Sequence, residues 1–132
     1  MMLSYLFIGA NDVDLSGRFY EAVLLPLGYI KENDDGRLVF SLPDIPDRVN
    51  GPGAVFIARP WDGNEAVPAN GMMPGFRVKS RRLVDEAYRA GLCAGGTDEG
   101  APGVRERYSC HFYVAYLRDP AGNKLALFCN AE

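Results

Sequence analysis

The chain states one pattern of elements twice, at a period of about 70 residues. "LSYLFIGA" (Leu3 to Ala10) is short, apolar and aromatic-rich, as a buried strand requires. Asp12 offers an N-cap oxygen, Phe19, Tyr20, Val23, Leu24 and Leu27 recur at helical spacing, and Gly28 suits a C-terminal cap. Strands Tyr29 to Glu32 and Arg37 to Leu42 follow, joined by the hairpin signal "NDDG". A loop rich in Pro and Gly leads to a fourth strand, Ala54 to Ala58. The second half repeats the order: a strand over Met73 to Val78, Ser80 as N-cap, and a helical stripe of Val84, Ala87 and Tyr88 stopped by Gly91. A short strand near Leu92 to Ala94, the loop "GGTDEGAPG", and strands Phe112 to Arg118 and Lys124 to Cys129 complete it.

This predicts an α+β fold of two βαβββ modules forming a cupped mixed sheet, with the helices on its outer face. Module one spans about 1–58, the connecting segment "RPWDGNEAVPANG" 59–71, and module two about 72–132. Neither module buries its sheet face alone, so the 132 residues form a single domain. Strand parity sorts the side chains. Leu6, Ile8, Phe76 and Val78 face the helices; Tyr5, Phe7, Met73, Gly75 and Arg77 face the cup. Pairing around the final turn sets Tyr116 beside Ala126 and Val114 beside Phe128.

Composition excludes several classes. Net charge is −3 with no run of Lys or Arg, which argues against nucleic acid as a partner. No apolar stretch approaches the ~20 residues that span a bilayer. Three cysteines, Cys93, Cys110 and Cys129, have no metal-type spacing and read as free thiols of a cytoplasmic protein. The glycine groups "GPG" and "GTDEGAPG" match neither the dinucleotide nor the phosphate-loop fingerprint, so a nucleotide cofactor has no support.

Three segments carry a family resemblance: "YLFIGANDVDLSGRFYEAVLLPLGY", "FRVKSRRLVDEAYRAGLCAGGTDEGAPG" and "FYVAYLRDPAGNKLALF". The Asn-Asp cap, the Phe19-Tyr20 pair, the helix-ending Leu-Gly and the Asp-Pro-x-Gly-Asn turn fall in one order. Over nearly its whole length the chain resembles the vicinal-oxygen-chelate superfamily, which includes glyoxalase I, bleomycin-resistance proteins and extradiol dioxygenases. The resemblance implies paired βαβββ modules around a cup, often bordered by a second subunit. In metal-using members it implies a His seven residues before the first helix cap, another near the start of module two's first strand, and a Glu after the final turn. Those positions hold Tyr5, Met73 and Ala126 here, and the fourth strand of module one, which often adds a ligand, is "AVFIA". Lewis-acid metals need imidazole or carboxylate donors, so no metal is expected at the family site.

The expectation is therefore a homodimeric protein that binds a small, partly apolar organic ligand without cofactor or catalytic metal. Tyr5, Phe7, Phe56, Met73, Tyr116, Ala126 and Phe128 line the cup, and Arg77 or His111 supplies a polar anchor. Plain packing is the other reading of these apolar residues. Arg77 is equally a strand-end arginine paired with an acid. His111, the single histidine, is a candidate general base, against the plainer reading of a strand-edge residue. Arg59, Trp61 and Asp62 read as a lid, a cup cover or an interface. Two alternatives remain: a divalent-metal lyase, isomerase or dioxygenase using His111 with a carboxylate, and a structural dimer with a filled cup.

Overall fold

The computed structural model describes residues 1–47 and 50–131; residues 48 and 49, in the Pro- and Gly-rich loop, and residue 132 lie outside it. Module one comprises β1 (Tyr5–Gly9), α1 (Val13–Leu24), a 3₁₀ turn (Leu25–Leu27), β2 (Ile30–Asp34), β3 (Arg37–Ser41) and β4 (Ala54–Ala58). Module two comprises β5 (Gly75–Arg77), α2 (Arg81–Cys93), β6 (Thr97–Val104), β7 (Tyr113–Arg118) and β8 (Lys124–Cys129). Each forms a four-stranded mixed sheet, in the orders β1-β4-β3-β2 and β5-β8-β7-β6. The first strand of each module runs parallel to the last, and the other pairs are antiparallel.

Local chemistry sets the boundaries. Asp12 and Ser80 accept from the backbone N–H groups three residues on, Leu15 and Leu83, and so start the two helices. Asp35 and Gly36 both take positive φ, 52° and 83°, giving the twisted two-residue turn of the first hairpin. The expected parity holds for the core positions of β1, β3, β4, β5 and β8. Ile8, Leu38, Phe40, Val55, Ile57, Phe76, Leu125 and Leu127 enter one core with Phe19, Tyr20, Val23 and Val84 of the helices. That core draws on both modules, as the amphipathic pattern of each requires.

Four expectations for module two need correction. Gly91 does not stop its helix, which continues through Cys93. A Cβ at Gly91 would stand 2.9 Å from Leu117 and 3.0 Å from Val23, so the glycine lets α2 approach β7 and α1 closely. Gly95, with φ of 96°, ends the helix instead. Residues Leu92 to Ala94 are accordingly the last turn and cap, not a strand. Nor is "TDEGAPG" a loop: it belongs to β6, the edge strand of its sheet. Pro and Gly are tolerated on an edge, and register shifts on either side of Gly100 break the alternation a strand normally shows. Strand β5 is shorter than expected, though backbone bonds from Ala126 N to Pro74 O and from Val78 N to Phe128 O extend its pairing.

The turn "DPAGN" fastens the modules together. Asp119, 3% exposed, accepts four hydrogen bonds of 2.9 Å, from the Tyr20 hydroxyl, the Ala121 and Asn123 N–H groups, and Asn123 Nδ2. Asn123 Nδ2 also donates to the Gly9 carbonyl at the end of β1. A carboxylate has about four lone-pair sites, and here each has a donor. Burial first, and the Asp119 charge second, push the Tyr20 phenol well above its ordinary value.

Replacing Tyr20 with Phe leaves an Asp119 lone pair unfilled in a dry site, and urea titration is expected to show a loss of about 1–3 kcal/mol. A pH dependence accompanies it. The folded phenol pKa lies above the unfolded one, so this stabilisation is complete below about pH 10 and is lost as pH rises through the folded value. The stability gap between wild type and Tyr20→Phe therefore narrows in alkali; a gap independent of pH contradicts the assignment.

Candidate functional site

Each sheet has a face turned from the helices. On module one it carries Tyr5 and Phe7 of β1, Arg37, Val39 and Ser41 of β3, and Ala54, Phe56 and Ala58 of β4. Phe56 is 6% exposed and packs with Val39 and Ala54, while the Tyr5 ring meets it edge-on at 5.4 Å. Tyr5, Phe7 and Met73 remain 52%, 48% and 44% exposed, an unusual amount of uncovered apolar surface for one region.

Module two's equivalent face is built around the last hairpin. Tyr116 is opposite Ala126 and Val114 opposite Phe128, as parity requires, and β5 brings Gly75 level with Ala126 and Arg77 level with Phe128. Ala126 is 4% exposed and lies between Gly75 and Tyr116 of the adjoining strands. Cations lie over the rings: Arg77 is 5.0 Å from the Phe128 centroid, and Arg105 and Lys124 are 5.7 and 5.4 Å from that of Tyr116. The glycines of β6 make room for this stack. A Cβ at Gly100 would stand 2.8 Å from Tyr116, and one at Gly103 would stand 3.0 Å from Arg105. Arg118 Nε bonds Glu99 at 2.6 Å, and Arg118 Nη1 bonds the Gly122 carbonyl.

Residues of β1 and of the segment around β5 together border two cavities. Phe7, Gly9, Met72, Pro74, Asn123 and Lys124 border a cavity of about 180 Å³. Tyr5, Tyr29, Ala54, Gly75 and Arg77 border another of about 140 Å³. Seven of the eight apolar or arginine candidates therefore lie on the two sheet faces: Tyr5, Phe7 and Phe56 on module one, and Arg77, Tyr116, Ala126 and Phe128 on module two. Met73 precedes β5 and borders a cavity with Arg118 and Lys124. His111 does not join them. It sits in the turn before β7, its N–H bonded to Ser109 Oγ at 3.2 Å. Trp61 is wholly exposed and covers neither face. Asp62 closes a local turn onto Asn64, and Arg59 donates to the Asn11 carbonyl. Sequence reasoning overlooked Lys124 and Arg105 as site residues. Alternation along β8 gives Lys124 with Ala126 and Phe128, whereas Arg105 lies beyond a strand whose alternation is broken.

No family model and no curated protein matches the sequence. Solved structures do. A glyoxalase/bleomycin resistance protein from Albidiferax ferrireducens T118 is 34% identical over 96% of each chain, with a TM-score of 0.81. The chain belongs to the glyoxalase/bleomycin resistance protein family. More distant structures share the fold: a glyoxalase-related enzyme from Fulvimarina pelagi, 17% identical over 98% of this chain and 88% of that one, TM-score 0.72. A glyoxalase/bleomycin resistance protein/dioxygenase family enzyme from Burkholderia phytofirmans PsJN is 18% identical over 98% of both chains, TM-score 0.68.

Within this glyoxalase/bleomycin resistance fold, the residues at the metal-ligand positions do not fit a divalent cation. Tyr5 presents a phenol, Met73 a thioether and Ala126 a methyl, and Phe56 on β4 a ring. Among the described residues no three His, Cys, Asp or Glu side chains come together, whether around His111 or elsewhere. No helix of the described residues is long and apolar enough to cross a membrane.

The Arg118 hydrogen bond holds the Glu99 carboxyl below the ordinary glutamate value, against a smaller opposing effect of desolvation. Because the folded pKa is depressed, the pair's contribution is present above the unfolded pKa and fades as pH falls through the folded one. A carboxyl-carbon NMR titration is expected to find Glu99 low in wild type and restored to the ordinary range in Arg118→Gln. Titration at or above the ordinary range in wild type contradicts the pairing.

Proposed function

We propose that this protein binds a small, partly apolar organic molecule on its aromatic cup faces without a catalytic metal. The observation that supports the reading is the presence of a phenol, a thioether and a methyl (Tyr5, Met73 and Ala126) where the family resemblance implies metal donors, beside uncovered Tyr5 and Phe7 rings. An aromatic surface with cations at its rim stabilises a planar guest by stacking, desolvation and polar contacts at the edge. It offers no Lewis acid to polarise a carbonyl or activate water. Binding, rather than glyoxalase-type lyase, isomerase or dioxygenase chemistry, is the activity these side chains suit. We further propose that it works in the cytoplasm as a homodimer, which would cover part of the half-exposed Tyr5, Phe7 and Met73 surface.

The neutral fluorophore N-phenyl-1-naphthylamine tests this directly. Saturable fluorescence enhancement is expected, unchanged by excess EDTA. It should weaken about tenfold in Phe128→Ala, as removal of a ring buried against the guest implies. Absence of saturable binding, or binding abolished by EDTA and restored by a transition metal, overturns the proposal.

A further inference from the structure

The two cup faces differ in charge. On the strands of module one, parity turns Glu32 and Asp34 toward the cup with Arg37, which pairs with Asp34. On module two, Arg77, Arg105, Arg118 and Lys124 gather over or beside Phe128 and Tyr116. The acids carried by β5–β8 are Asp98 and Glu99. Asp98 is turned to the Tyr88 hydroxyl of α2, and Glu99 is held by Arg118. In a chain of net charge −3, one aromatic face is thus cationic.

These cations are not equivalent. Arg105 donates to the Ala101 carbonyl, and Arg118 to Glu99 and Gly122. Arg77 and Lys124 have no such partner: among the described residues neither forms an ion pair nor donates a side-chain hydrogen bond. Arg77 is nevertheless held in place, its guanidinium stacked over Phe128. With its guanidinium carbon over the ring and no side-chain hydrogen bond among the described residues, Arg77 keeps N–H groups that can fork onto a carboxylate. Lys124 stands four residues before Phe128 on β8, about 13 Å along the sheet from the level of Arg77. Gly75 and Ala126 lie between the two levels; the Phe128 ring would stand 3.5 Å from a Cβ at Gly75, and Ala126 is buried.

We infer that the ligand is an organic anion with an aromatic body, its acid group bound by the Arg77 edge, with Lys124 adding attraction from the far end of the face. This rests on the proposal that the cup faces bind a small molecule, and it names the class. The aromatic body would rest against the rings of this face, Phe128, on which Phe112 already packs at 5.5 Å, and Tyr116. Selection against a neutral analogue follows because a neutral guest leaves the Arg77 N–H groups without an acceptor better than water.

Calorimetric titration with benzoate, 2-naphthoate and biphenyl-4-carboxylate, each against its neutral amide, tests the inference. At least one carboxylate is expected to bind about tenfold or more tightly than its amide. The ratio should fall toward one in Arg77→Met/Lys124→Met, with amide binding retained. Equal binding of carboxylate and amide by the native protein overturns the anion assignment while leaving small-molecule binding intact. A preference that survives the double substitution in a folded variant overturns the role of these two cations. If no carboxylate or amide binds and N-phenyl-1-naphthylamine also fails, the underlying proposal fails too. Should the double variant not fold, the native carboxylate-to-amide ratio still decides.

Discussion

A buried carboxylate bound by four donors holds this molecule's two halves in register. Asp119 stands at the β7–β8 turn of module two, Tyr20 on the helix of module one, and Asn123 bridges from the same turn to the end of β1. A buried charge is tolerable only when its acceptor sites are filled, and a half-filled set would cost more than an apolar contact. The arrangement is therefore satisfied as a whole or not at all. It fixes the turn from which β8 departs, and hence which β8 side chains face the cup. Lys124, Ala126 and Phe128 owe their common face to that departure.

Much of the architecture was legible in the chain because the relevant signals are local. Caps at Asp12 and Ser80, the Asp35-Gly36 turn and the short apolar runs of β1, β4, β7 and β8 each act over a few residues. The failures cluster where a residue answers to a distant neighbour. Gly91 looks like a helix stop, yet its missing side chain accommodates Leu117 and Val23. Gly100 and Gly103 look like loop residues, yet they leave room for Tyr116 and Arg105. In both places a glycine required for close packing imitates one required for backbone freedom.

The site divides in the same way. That Tyr5, Met73 and Ala126 occupy the positions where the family resemblance implies metal ligands follows from counting along the chain. Parity alone places Tyr116 next to Ala126. The pairing of particular cations with particular rings does not follow from sequence, since it depends on side chains crossing from one strand to the next. Nor does sequence distinguish Arg77, which makes no ion pair or side-chain hydrogen bond among the described residues, from Arg118, which is bonded to Glu99 and Gly122. Charge composition misleads as well: an acidic chain conceals a cationic face because its carboxylates lie elsewhere or are already bound.

The central claim is that a surface inherited from a metal-using architecture serves a metal-free guest. A crystal structure of protein purified without chelator, with anomalous data collected across the transition-metal edges, addresses it most directly. The account predicts no anomalous peak near Tyr5, Met73 or Ala126, and an organic guest, when soaked in, resting against Phe128 and Tyr116. A fully occupied metal bonded at those positions would contradict it.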